Sequence, residues 1–228
     1  MTAFAYYRLP YLHHAHYVAQ REGEPEVLSS VAELNGKEGF VIAPFSPSSD
    51  CPVLLIHPDE SKLLPISDAK AISTSDSTLG EDASDRDAYA GAFECFHQEL
   101  EKGTFRKIVL ARKATVRTAD KDFENLFMKA CRMYPRLFVS LVYTPQSGMW
   151  LMATPEILLK GEQGNMSTMS LAGTQKAEPS RTVADYPVEG VEWSHKNQEE
   201  QQYVTDYIED CIKAFADDYQ LKGPYTTM

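Results

Sequence analysis

The sequence predicts an α+β fold, with strand hairpins building large antiparallel or mixed sheets and helices packed outside them. Three observations predict it. Short apolar runs come in pairs separated by turn sequences, helical spacing appears only in segments inserted between those pairs, and neither GxGxxG nor GxxxxGK occurs anywhere in the chain.

Residues 1–20 are aromatic and rich in histidine, and the alternation around Tyr6, Arg8, Tyr11 and Leu12 predicts a strand or an arm beside the core. His13, His14 and His16 raise a metal site. No acidic or cysteine ligand stands nearby and HHxH is not a common ligand spacing, so they are read as structural. Gly39–Phe45 and Pro52–His57 are two strands around a Ser-Pro-Ser-Ser-Asp turn, with His57 a satisfied surface histidine. Residues 66–87 are the most polar part of the chain and the best linker candidate.

From Tyr89 the spacing becomes helical, through Ala92, Phe93, Phe96 and Leu100, and Gly103 ends the helix. Phe105–Val116 follows as a strand with both faces apolar. A second helix from about Phe123 to Tyr134 should bury Phe123, Leu126, Phe127, Ala130 and Cys131. Phe138–Tyr143 and Met149–Ala153 are strands joined by Thr-Pro-Gln-Ser-Gly. Ile157–Lys160 and Asn165–Leu171 form another hairpin around Gly161–Gly164. Residues 175–192 are irregular. A long helix then runs from Ser194 or His195 to about Tyr219, with the stripe Tyr203, Val204, Tyr207, Ile208, Cys211, Ile212 and Phe215.

A net charge of −11 argues against nucleic acid or an anionic membrane as the main partner, and no apolar run is long enough to span a bilayer. The N-terminus lacks the order of a signal peptide. Cys51, Cys95, Cys131 and Cys211 are scattered without CxxC spacing, which reads as free buried thiols in a reducing, cytoplasmic setting.

Four places carry candidate chemistry. Lys107 lies inside an apolar run, where a charge costs free energy unless it has a partner or a task; it either snorkels out of the strand start or faces a cavity as a base. Glu156 follows Pro155 between apolar residues, either as a proton donor or as a solvated corner. Glu200 lies one turn before Val204 and extends the inner stripe of the last helix. It can serve Mg²⁺, which takes oxygen ligands and keeps waters, or simply pair with Lys196. Ala172, Gly173 and Thr174 make a small, hydroxyl-bearing corner that a carboxylate could approach closely.

KIVLAR (107–112), ATPEILL (153–159), SLAGT (170–174) and KNxxE (196–200) occur in that order, and together they resemble the chorismate-utilising enzymes. That family includes isochorismate, salicylate, anthranilate and aminodeoxychorismate synthases. The resemblance covers roughly residues 89–215. It implies the anthranilate synthase-like fold, with residues 1–80 as its strand-rich N-terminal part and 81–228 as the N-terminal portion of the catalytic domain. It implies Lys107 as the base that activates water at C2 of chorismate and Glu156 as the acid that protonates the departing C4 hydroxyl. Glu200 becomes a Mg²⁺ ligand, and Ala172, Gly173 and Thr174 part of the substrate pocket. Aminating members carry glutamine where Lys107 stands, so the lysine favours isochorismate formation, in menaquinone or siderophore synthesis. Salicylate synthases, which go on to eliminate pyruvate, share the lysine and are the runner-up. The family's helix glutamate is often followed by histidine; here Gln201 follows. The family's chain also continues beyond this helix, so the expectation includes a C-terminally incomplete fold. The alternative function is then an inactive fragment, oligomerising through exposed sheet edges.

Overall fold

The structure is a computed structural model, and it describes residues 2–66, 83–113, 122–162, 164–176 and 191–225. In chain order the strands are β1 (Ala3–Arg8), β2 (His14–Gln20), β3 (Glu26–Leu28), β4 (Phe40–Ile42), β5 (Val53–Ile56) and β6 (Glu60–Pro65). Helices α1 (Ala83–Glu101) and α2 (Phe123–Met133) come next, followed by β7 (Phe138–Thr144), β8 (Gly148–Thr154), β9 (Lys160–Glu162) and β10 (Asn165–Ser167). Helix α3 (His195–Lys213) is the last element. Every strand pair is antiparallel, with helices between hairpins, so the fold is α+β as expected.

Two compact units divide the chain. One takes residues 1–82 and 113–155, the other 83–112 and 156–228. The first is built on a five-stranded sheet in the order β6-β2-β1-β7-β8. Its two faces follow from strand alternation. On one face Ala15, Val139 and Leu141 pack against Phe127, Met128, Ala130 and Cys131 of α2, with Phe4 and Tyr6 at the margin. On the other, Ala3, Ala5, Val18 and Val142 meet Ile56, Phe40 and Ile42 of the smaller sheet β3-β5-β4. Alanines at four central positions, 3, 5, 15 and 19, are wholly buried. The N-terminal segment, expected as a strand or arm beside the core, therefore supplies its middle strand, β1.

Arg8, at the end of β1, is the largest fully buried side chain. Its guanidinium donates to the carbonyls of Tyr134, Pro135 and Leu137, just past the end of α2. Those carbonyls need donors, and a cation at a helix C-terminus also complements the helix dipole. At the other end, Asp122 caps α2 by accepting from the Asn125 amide at 3.1 Å. The buried stripe of α2 differs from the expected one: Met128 is inside, while Phe123 and Leu126 stay exposed. One layer of sheet covers only part of the helix circumference.

The second unit holds α1, α3 and the small hairpin β9-β10. Gly103, at φ 72°, ends α1 as expected, because a left-handed residue there costs a glycine least. Three expectations fail in this unit. Phe105–Lys113 forms no strand, and 114–116 lie outside the described residues. A strand needs a ladder partner for its backbone groups, and here the side chains of 106 and 107 bond α3 instead. The Ile157–Lys160 and Asn165–Leu171 strands shrink to Lys160–Glu162 and Asn165–Ser167; Thr168 and Met169 bond the Ile157 and Leu158 carbonyls in an irregular connection. The apolar stripe of α3 has no buried residue, with Tyr207 71% exposed.

Most of the 66–87 linker and of the irregular 175–192 segment lie outside the described residues, although 83–87 already belong to α1. The thiols are all free, but only Cys131 is buried; Cys51, Cys95 and Cys211 are exposed. His57 is a satisfied surface histidine, its Nε2 2.8 Å from Glu26 Oε2. Among the described residues no helix is long and apolar enough to cross a membrane.

Candidate active site

All the candidate residues fall in the second unit, and α3 is the element that gathers most of them. Ser194 caps this helix, accepting from the Asn197 amide at 3.2 Å, and so fixes which residues of its first turns face inward. Positions 197, 201 and 205 are four apart and share one stripe; 200 and 203 share the neighbouring one.

The stripe of Glu200 and Tyr203 holds the segment after α1. Lys107 Nζ lies 3.0 Å from Glu200 Oε1, with both side chains about three-quarters buried, at 29% and 27% exposure. Arg106 stands over the Tyr203 ring at 5.8 Å from its centroid. Lys107 therefore has a partner. It is neither a snorkelling strand lysine nor a cation alone in a cavity, and the carboxylate that holds it is the one expected to serve a metal.

The other stripe holds the 170–174 corner. The Ala172 amide donates to Gln201 Oε1 at 2.9 Å, and Gln201 Nε2 donates to the Ser170 carbonyl at 2.9 Å. Asn197 Nδ2 donates to the Thr174 carbonyl at 3.1 Å. Between these anchors Gly173 comes so close to α3 that a Cβ there would lie 2.8 Å from the Asn197 carbonyl oxygen. Any other residue would push the corner off the helix, which is the physical reason for glycine at this position.

Glu156 stands apart from these elements in the chain order. That residue is exposed, at the head of the connection from β8 to β9. Sequence reasoning passed over Gln201 and Asn197 as holders of the corner. The signal that could have found them is polar side chains at four-residue spacing on the inner side of a helix, where each must find a partner.

The donor set bears on a metal. Among the described residues no group of three His, Cys, Asp or Glu side chains could hold one unaided. Glu200 offers a single carboxylate, and the Lys107 ammonium occupies it. Mg²⁺ takes one or two protein carboxylates and completes its shell with substrate oxygens and water, so an ion at Glu200 would require the pair with Lys107 to open.

Comparison with known families decides the class. The family model described as "Chorismate binding enzyme" matches residues 55–226, which include every candidate residue. The chain belongs to the chorismate-binding enzymes. The match begins at β5 and excludes β1 and β2, the strands at the centre of the larger sheet. No curated protein and no solved structure is significantly similar to the chain.

Proposed function

We propose that this chorismate-binding enzyme converts chorismate to isochorismate, adding water at C2 and expelling the C4 hydroxyl. The observation that carries the reading is the pairing of Lys107 with Glu200 beside the 172–174 corner. A nucleophilic water needs a base where ammonia needs none. The residue paired with Glu200 is a lysine rather than a neutral amide.

In this reading the corner receives a carboxylate of the substrate. Glu200 would hold Mg²⁺ jointly with that substrate, and the ion would neutralise the ring carboxylate and so favour departure of the hydroxyl. Lys107, released from Glu200 and having given its own proton to solvent, takes the proton of the attacking water as a neutral amine, because an ammonium, paired or free, cannot accept one. Glu156 gives a proton to the leaving C4 oxygen.

The test is incubation of the chain with chorismate and Mg²⁺, with products identified by chromatography. Isochorismate is the expected product, and Lys107→Gln should cut its formation by roughly 10²- to 10⁴-fold, the usual worth of a general base. Salicylate with pyruvate would place the chain among the salicylate synthases. An aminated product formed from ammonia, with none from water, would overturn the role given to Lys107. Absence of any product would leave a chorismate-binding domain without this activity.

A further inference from the structure

We infer that Gln201 is the positioning residue of the substrate corner, its side-chain amide setting where Ala172, Gly173 and Thr174 stand. The inference rests on the reading of that corner as part of the chorismate pocket.

The backbone of 170–172 belongs to no sheet. Its Ser170 carbonyl and Ala172 amide flank Leu171 on one side, as two adjacent ladder groups of a strand do. Both are bonded by the same primary amide at 2.9 Å, the carbonyl by Gln201 Nε2 and the N–H by Gln201 Oε1. One side chain thus replaces a rung of a missing ladder. Two bonds of opposite sense from a planar group fix the segment's height along the helix and its rotation about its own axis. A single bond would fix only a distance.

The amide is itself held. Gln201 Nε2 also lies 2.9 Å from Ser170 Oγ and 3.3 Å from Thr205 Oγ1. Ser170 and Thr205 hydroxyls are 2.8 Å apart, and Thr205 Oγ1 returns to the Gln201 carbonyl at 3.0 Å. With its nitrogen ringed by acceptors, the amide presents its oxygen to Ala172 in one orientation only. Asn197 adds a third anchor at the Thr174 carbonyl, and the close approach of Gly173 leaves no room for the corner to settle deeper. Lys107 is held by Glu200, the residue next to Gln201, so the corner and the candidate base take their positions from consecutive residues of α3.

A residue type without a primary amide cannot do this at position 201. An imidazole with one N–H can accept and donate, but its two nitrogens diverge and cannot serve adjacent groups of one strand edge. A carboxylate keeps the bond from Ala172 and repels the Ser170 carbonyl. Methionine keeps the volume and loses both bonds.

The experiment compares wild type, Gln201→Met and Gln201→Glu in the full chain. It reads amide hydrogen exchange at Ala172, the thermal unfolding midpoint, chorismate affinity by calorimetry, and kcat with KM. Expected for Gln201→Met is faster exchange at Ala172 and a chorismate Kd and KM weaker by roughly tenfold, the worth of about one net hydrogen bond. The midpoint should shift little and kcat change less than twofold. Gln201→Glu, which keeps one of the two bonds, should fall between. Unchanged exchange at Ala172 would overturn the clamp. Faster exchange with unchanged Kd and KM would overturn its role in substrate positioning, as would an equal loss in kcat. A wild-type chain that neither binds nor turns over chorismate defeats the functional reading first and the positioning role with it. That result is told apart by the wild type itself, before any variant is compared.

Discussion

The two units of this chain began with similar promise in sequence and reached different degrees of burial. In the first, α2 carries an apolar stripe and buries Phe127, Met128, Ala130 and Cys131 against strands β1, β2 and β7. In the second, α3 carries a longer stripe and buries nothing; Tyr203, Tyr207 and Phe215 are 39%, 71% and 80% exposed. Helix α1 is similar, with Phe93 53% exposed. Amphipathic spacing says which face of a helix is available for burial, but only a second layer turns the face into a core. The first unit has that layer on both sides of its sheet. What holds the second unit around α3 is chiefly polar: an ion pair, an amide clamp and a cation over a ring.

The largest effects should come from two cuts into the first unit. Leu141→Ala, in the middle of the sheet against α2, should cost about 3 kcal/mol through lost burial and the cavity left behind. Arg8→Met should cost a similar amount, about 2–3 kcal/mol, because carbonyls past the end of α2 lose a charged donor. Urea unfolding of each variant measures both. A cost below 1 kcal/mol for either would mean that the first unit is not the cooperative core described here.

Thiol chemistry separates the units next. Burial pushes the Cys131 thiol up, partly offset by the Arg8 guanidinium nearby. Cys51, Cys95 and Cys211 are exposed. Iodoacetamide at pH 8 should therefore modify three thiols quickly and Cys131 at least tenfold more slowly, since the thiolate is the reacting form and must be reached. Mass spectrometry of the digested chain reads the order. Rapid alkylation of Cys131 would show that the sheet–helix core opens readily.

A smaller effect is expected from pH. Hydrogen bonds from Lys37 and then His57 hold the half-buried Glu26 carboxyl below its usual range, and Lys62 and then Arg21 do the same for Glu60 against the opposing cost of burial. A carboxylate whose folded pKa lies below its unfolded value adds stability above the unfolded value and loses it as pH falls through the folded one. The first unit should thus weaken below about pH 4.5, with a shallower fall in Glu60→Gln, measurable from urea midpoints at pH 7 and pH 3.5. Identical slopes for the two proteins would remove Glu60 from the account. The smallest effect belongs to Tyr207→Ala on α3, within about 0.5 kcal/mol, as for exposed substitutions generally. A large loss there would mean that the exposed stripe is covered in solution.

Much of the local structure was legible. The β4–β5 and β7–β8 hairpins and α2 sit close to where alternation, helical spacing, caps and turn residues placed them, while α1 begins earlier, at Ala83 rather than Tyr89, and α3 stops at Lys213 rather than Tyr219. The four ordered motifs pointed to the family that residues 55–226 match. The strand expected at 105–116 was misplaced for a physical reason. Alternation in Lys107-Ile-Val-Leu-Ala describes a chain able to pair, while pairing itself depends on another edge being within reach. The centrality of β1 was hidden for the converse reason: with small Ala3 and Ala5 on one face and Tyr6 and Arg8 on the other, its pattern looks like an arm until both covering layers are in place.

The hairpins, most of the helical segments and the kinds of residue brought to the candidate site follow from local spacing, because these depend on residues within a few positions of one another. Only the tertiary structure decided who meets whom. It gave Lys107 to Glu200 rather than to solvent, set Ala172 on the Gln201 amide, and left Glu156 exposed. An isolated charge costs free energy wherever it is buried, and sequence can flag that cost; the residue that relieves it lies far along the chain and is found only when the chain folds back.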